Sequence, residues 1–430
     1  MLPEHIVRPA AVQISSPRGV RLAARQWTAA VHSSSAVGLP AGAREALVSD
    51  TLQDEHGQPV DVFRKFTLEP AKLDTLYGNL RGIMHTARVT SPPPGNTPSP
   101  PWEGFEEVEV PLSDGLKPHA RLGAPRPADE IPGSYVVITH GMFGSLEGVS
   151  MENHVQALRR AGHHVLAIEL RGHGQTNERN RTIPITFGLR ETSDLLSAAR
   201  WLKREHHAKR VGLVSFSMTG FESLLAAWLD AAPLDPRDAG RPILRIAQKP
   251  NAEPSFNGGM FIVSTPVAFQ TLSPVFAKRW KKLMNPVKAT FQHQAEARLR
   301  EFGDPPAWNL WDFVTAELRR DGWTRAYPSD AEMRSDMEWY LDMREDNWSA
   351  GVRRMEAVRT PVLVLSAAND PLATAQDVAK LFSRVNNPNI GVILLNRGGH
   401  MGFSALSAAY YYSLMTAFFD PATAPRGIAP

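Results

Sequence analysis

The chain contains no cysteine, which excludes disulfides, thiolate-bound metals and a cysteine nucleophile. It has no uninterrupted apolar run near the roughly 18 to 20 residues of a membrane span, so no transmembrane segment is expected. Excess charge of one sign is small. A formal net charge of +3 is spread over 430 residues without a basic block or an aromatic-interleaved basic stripe. Nucleic acid therefore has no electrostatic foothold. The N-terminus, MLPEHIVRPAAVQISSPRG, carries an early glutamate and lacks an apolar core of signal-peptide length, so the cytoplasm is the expected location. G-x-G-x-x-G, the Walker A loop and H-E-x-x-H are missing too, and no cofactor or metal is expected. The pairs His163/His164 and His206/His207 are adjacent, so neither can present two imidazoles on one face of an element.

What is present reads as globular: 43% apolar and 21% charged residues. Residues 1–101 form an N-terminal extension that carries no motif and ends in the proline-rich linker SPPPGNTPSPP (91–101). FEEVEVPL alternates like a strand, and SDG turns it into LKPHARLG, an antiparallel hairpin. From about 131, short apolar runs alternate with helical patterns. YVVITHG, HVLAIEL, RVGLVSF, GGMFIVSTP, TPVLVLSA and NIGVILL read as buried strands. That alternation predicts an α/β fold, a mostly parallel sheet covered by helices on both faces. It breaks between 270 and 350, where only helical patterns occur. We therefore expect core residues 102–269 and 351–430 with a helical cap (270–350) inserted before the later strands.

The stretch VGLVSFSMTGF (211–221) places two serines where a strand pattern meets a helix pattern. A nucleophilic serine on a strand–turn–helix elbow needs small residues two before and two after it, because backbones approach closely there. With Ser217 as nucleophile the flanks are Ser215 and Thr219; with Ser215 they would be Leu213 and Ser217. Leucine fits worst, so Ser217 is the candidate. A triad partner pair should follow in the order acid, then histidine, each after a strand. Asp370 follows TPVLVLSA and His400 follows NIGVILL. His400 would take the Ser217 proton and Asp370 would hold its tautomer. The oxyanion would be met by the N–H of Met218, directly after the nucleophile, and that of Met142 in THGMFGS. His140 and His173 read as residues that shape loops.

These segments resemble the α/β-hydrolase superfamily and, more narrowly, its AB-hydrolase-4 (YheT-like) family of serine carboxylesterases. The matching pieces are HGMFGS (140–145), ELRGHGQT (169–176), SFSMTG (215–220), ANDPLA (368–373) and RGGHMGF (397–403), within a span of roughly 103–420. The resemblance implies a serine hydrolase of carboxylic esters, lipase-like in its simplest form, with Ser217, Asp370 and His400 as its triad. Ser215 and Thr219 stand where the family typically has glycine, and Asn369 where many relatives have a first aspartate. A β-branched Thr219 is expected to tilt the elbow. Two other readings stay open: a catalytically silent binding protein, and an acyltransferase using the same serine. Trp308, Trp311, Trp323, Trp339 and Trp348 in the cap suggest an apolar pocket, hence a small-molecule ester partner with a medium-length or lipid-like acyl chain.

Overall fold

The computed structural model describes residues 51–53, 59–61 and most of 101–420. The gaps in that span are 149–150, 232–234, 239, 247–252, 268–285, 308–309, 342–347, 368, 383, 388, 396–397 and 407. Nearly all of the expected N-terminal extension, its linker up to residue 100 and the helical pattern at 275–284 lie outside the described residues. Within the extension, Thr51–Gln53 and Pro59–Asp61 pair antiparallel.

Eight strands form one sheet: β1 Phe105–Glu107, β2 Ala120–Gly123, β3 Ser134–Ile138, β4 His164–Ile168, β5 Arg210–Phe216, β6 Gly259–Val263, β7 Val362–Ala367 and β8 Ile390–Leu395. Their order is β8-β7-β6-β5-β3-β4-β2-β1. The hairpin β1–β2 is antiparallel and β2 joins β4 antiparallel; every pairing from β4 through to β8 is parallel. The strands are continuous apolar runs because both sheet faces are covered. Along β5, Val211 and Leu213 enter one apolar cluster, while Val214 and Phe216 enter the other, the period-2 alternation of a strand. Truncating Leu213, fully buried, to alanine would cost about 2–5 kcal/mol.

Helices α1 (Met151–Arg160), α2 (Gly174–Arg179), α3 (Glu191–Glu205) and α4 (Met218–Ala231) connect the first strands. Among the described residues, four α-helices lie in the chain between β6 and β7: α5 (Pro286–Glu301), α6 (Leu310–Arg320), α7 (Asp330–Leu341) and α8 (Trp348–Ala357). Helix α6 buries Leu310, Phe313, Val314 and Leu318, a stripe at helical spacing, in the cluster that also holds the α3–α4 side of the sheet. After β7 come α9 (Ala375–Phe382), and after β8 α10 (Phe403–Leu406) and α11 (Ala408–Phe419). Among the described residues no helix is long and apolar enough to cross a membrane.

Two features place the site. The strand order reverses at β3, which pairs with both β4 and β5. Loops leaving β3 and β5 therefore run to opposite sides and open a crevice at their carboxyl ends. In addition, Phe216 aligns with Val263, Val263 with Leu365 and Ala367 with Leu395. The loops after β5, β6, β7 and β8 thus leave the sheet on one edge.

Candidate active site

Ser217 is the single residue between β5 and α4, and it adopts a left-handed backbone with φ of 54°. That region is strained for a non-glycine residue and persists here because both its backbone groups are held. Its N–H donates to the Val263 carbonyl (2.8 Å), and its carbonyl accepts from Gly220 N–H (2.9 Å) as α4 begins. The turn aims Oγ away from the sheet, and Ser217 is half-buried. Ser215 is fully buried, its Oγ 2.8 Å from Ser223 Oγ.

The three residues expected to act together are brought together. His400 Nε2 lies 2.7 Å from Ser217 Oγ, and His400 Nδ1 lies 3.1 and 3.0 Å from the two Asp370 carboxylate oxygens. An acid that only accepts requires Nδ1 to carry the proton. Nε2 is then left with a lone pair facing the serine hydroxyl. Asp370 is itself fixed, because Oδ1 accepts the N–H groups of Leu372 (2.8 Å) and Ala373 (2.9 Å). The loop carrying His400 is pinned on both sides of the histidine. Gly399 N–H donates to Asn369 Oδ1 (2.9 Å), and Met401 N–H donates to Ser264 Oγ (3.1 Å). Glycine at 399, where φ is 54°, holds this left-handed conformation without the strain a side chain carries there.

Across the crevice, the turn after β3 approaches Ser217 so closely that a Cβ on Gly141 would sit 3.0 Å from Ser217 Cβ. The turn closes with Gly144 N–H donating to the Gly141 carbonyl (2.9 Å), with Phe143 at a φ of 57°. Met142, next in line, is half-buried, and Met218 opens α4. The first N–H of a helix has no partner inside it. Among the described residues neither Met142 N–H nor Met218 N–H meets an acceptor.

The two loop histidines are not bases of this site. His140 Nδ1 donates to the Gly141 carbonyl (2.7 Å) and its Nε2 accepts Leu170 N–H (3.2 Å). Burial pushes its pKa down to about 4, against the pull of the Gly141 carbonyl. His173 donates through Nδ1 to the Arg171 carbonyl (2.7 Å), and burial holds its pKa well below the ordinary 6.5.

Several residues that frame the site were given no role from the sequence. Glu169 is fully buried, and its carboxylate accepts Leu146 N–H (2.9 Å) and Thr176 N–H (3.0 Å), clamping the β3 turn to α2. Burial raises its pKa to about 7, opposed by those donors and by the N–H of Gln175. Arg298 of α5 and Glu317 of α6 pair bidentately (2.9 and 3.1 Å). Arg298 also donates to the carbonyls of Gly172 (3.1 Å) and Ile183 (2.9 Å), so the inserted helices are tied to the RGHG loop. The advance signals for Glu169 were an acid within the apolar run HVLAIEL and its place at the head of ELRGHGQT.

Of the five tryptophans expected in the cap, Trp311, Trp323 and Trp339 have side chains among the described residues. Trp311 and Trp339 are buried, and Trp339 is engaged by the guanidinium groups of Arg241 (3.9 Å) and Arg354 (4.1 Å), an arrangement that spends its ring on packing. Trp323 is half-buried. Trp308 and the side chain of Trp348 lie outside the described residues. Phenylalanines meet at the β3 turn, with Phe313 of α6 5.8 Å from Phe143 and 5.7 Å from Phe187. Among the described residues no group of three His, Asp or Glu side chains is placed to hold a metal ion.

Solved structures similar to this chain include an esterase of Pyrococcus furiosus (15% identity, TM-score 0.42, covering 73% of this chain and 91% of that one). The esterase domain of a Rhodothermus marinus protein shares 14% identity at a TM-score of 0.41, over 73% of this chain and 97% of that one. A Xanthomonas campestris protein described as an a/b serine hydrolase without lid shares 14% at 0.39, over 74% and 96%. No curated protein matches the chain significantly in sequence. Residues 136–410 match the family model described as the alpha/beta hydrolase family. That span takes in Met142, Ser217, Asp370 and His400 and covers more than half of the chain, which therefore belongs to the alpha/beta hydrolase family.

Proposed function

We propose that the protein is a serine hydrolase that cleaves carboxylic esters through an acyl-enzyme on Ser217. The observation that carries this reading is the 2.7 Å approach of Ser217 Oγ to His400 Nε2, with Asp370 behind the other ring nitrogen. Ser217 Oγ attacks the ester carbonyl carbon while its proton passes to His400 Nε2, and Asp370 stabilises the imidazolium. The carbonyl oxygen becomes an oxyanion that the Met142 and Met218 N–H groups receive. Collapse breaks the bond to the alcohol, which leaves with the proton from His400. Water then repeats the sequence on the acyl-serine, releasing the acid and restoring Ser217.

The segments HGMFGS, ELRGHGQT, SFSMTG, ANDPLA and RGGHMGF support a place within the AB-hydrolase-4 (YheT-like) family. Helices α5 to α7 act in this reading as the cap of residues 270–350, closing over the core formed by 102–269 and 351–430. The apolar residues Met142, Phe143 and Phe313 by the β3 turn favour a medium-length or lipid-like acyl chain over acetate.

Fluorophosphonate labelling and hydrolysis of a p-nitrophenyl ester series test the proposal on wild type beside Ser217→Ala. Covalent labelling at Ser217, a variant without activity, and butyrate or octanoate turned over faster than acetate are expected. Full activity in the variant sinks the mechanism, and an unlabelled wild type favours a silent binding protein.

A further inference from the structure

Thr219 occupies a position where the sequence motif leads one to expect glycine, and its β-branched side chain is almost completely buried. The crowding anticipated there has moved. At Gly220, one residue later, a Cβ would lie 2.7 Å from Ile262 Cγ2 and 2.9 Å from Thr265 Cβ. Thr219 is accommodated, and its hydroxyl donates a 2.5 Å hydrogen bond to the His140 carbonyl at the end of β3.

That bond has a geometric consequence. A trans peptide unit points its C=O and its N–H in opposite directions. With the His140 carbonyl held by Thr219, the plane of the His140–Gly141 peptide is set. The next plane is set by His140 itself, whose Nδ1–H and the Gly144 N–H both donate to the Gly141 carbonyl (2.7 and 2.9 Å). The Gly141–Met142 peptide therefore turns its N–H, that of Met142, to the opposite side from both of those donors. Thr219 also sits one residue after Met218, on the first turn of α4, with Ser223 Oγ 2.7 Å from its carbonyl oxygen. A single hydroxyl thus couples the turn carrying one unpartnered N–H to the helix carrying the other. Glycine at 219 could make no such link.

We propose that Thr219 is a positioning residue that braces the two oxyanion donors at a fixed separation. The inference rests on the acyl-enzyme reading above and goes further by giving the substituted elbow a task in it. Fixed donors act on the charge that develops in the transition state, not on the ground-state ester. Loss of the brace should therefore lower kcat and leave KM nearly alone.

The test compares wild type with Thr219→Val, which keeps the branched shape without the hydroxyl, and Thr219→Ser, which restores the hydroxyl. Thr219→Gly is carried beside them because it removes the hydroxyl without new bulk if valine misfolds. Rates on p-nitrophenyl butyrate are divided by active sites counted from end-point fluorophosphonate labelling, and Ser217→Ala is included. The expected result is a kcat about tenfold lower in the valine and glycine variants, short of the 10²–10³ that deleting a donor costs. KM should stay within about twofold, and serine should return kcat to near the wild-type value. A wild-type kcat in Thr219→Val, or a serine variant as slow as valine, overturns the brace while an inactive Ser217→Ala leaves the acyl-enzyme reading standing. An active Ser217→Ala overturns that reading and the brace with it.

Discussion

Replacing Glu169 with glutamine sets two opposing effects against each other at a position that holds the β3 turn. The carboxylate accepts Leu146 N–H on one oxygen and Thr176 N–H on the other. Glutamine can satisfy only one side, because its NH₂ group must face a backbone donor on the other. A buried N–H left without an acceptor costs about 1–3 kcal/mol, and this loss is present at every pH. The gain depends on pH. Burial raises the Glu169 pKa from its ordinary 4.5 to about 7, which corresponds to about 3 kcal/mol. A carboxyl whose pKa is raised on folding contributes stability that is complete below about 4.5 and is lost as pH rises through about 7. Glutamine never ionises and escapes that loss. Glu169→Gln should thus be less stable than wild type by about 0–2 kcal/mol at pH 5, where wild type has begun to lose that contribution, and equal or more stable by about 0–2 kcal/mol at pH 8.5. Urea unfolding of both proteins at the two pH values measures the difference, and the buried histidines cancel because both chains carry them. A penalty equal at both pH values, or larger at pH 8.5, would refute the reasoning. The donors on the carboxylate would then outweigh its burial.

Gly220→Ala should lower stability by about 1–2 kcal/mol, since overpacking against Ile262 and Thr265 exceeds the roughly 1 kcal/mol by which alanine favours a helix. A thermal unfolding midpoint at or above wild type would show that the elbow has room there. On the acid side, His140 and His163 are depressed by burial to about 4 and about 3. Their stabilisation is complete above pH 6.5 and is lost as pH falls toward those values, about 3 kcal/mol for His140 alone. His140→Gln removes one of these groups and leaves every other titrating group in place, so from pH 7 to pH 4 the wild-type urea midpoint should move down relative to the variant's by the His140 share; a difference between the two that does not change with pH contradicts this.

The strands were legible because parallel strands covered on both faces become unbroken apolar runs, and RVGLVSF corresponds residue for residue to β5. Ser217, Asp370 and His400 could be placed for a related reason. Each follows a strand end, and parallel strands in register deliver their following loops to one edge. What could not be read were contacts between side chains and backbone far apart in the chain. Thr219 and His140 are 79 residues apart and Glu169 and Leu146 are 23 apart, and no periodicity records such pairings. The setting of Trp339 was unreadable for a similar reason, since composition counts aromatic rings but not the guanidinium groups that cover them.

The elbow shows why a small-residue rule is better stated as a contact than as a position. Ser217 holds a left-handed backbone, a strain of about 1–3 kcal/mol, that is tolerated only where neighbours hold its peptide groups. Those neighbours are the Val263 carbonyl and the first turn of α4, so α4 must lie close to the loop after β6. The approach leaves no room for a Cβ at Gly220, which meets Ile262 and Thr265, and little at Gly141, which meets Ser217 from the other side. Positions 215 and 219 face inward beside these contacts, with enough room for an oxygen. Both carry a hydroxyl that is hydrogen-bonded, Ser215 with Ser223 and Thr219 with His140. The backbone approach that glycine normally permits at the two flanks is met here by glycines at 141 and 220. The flanks are thereby free to bond the elbow to the turn across the crevice.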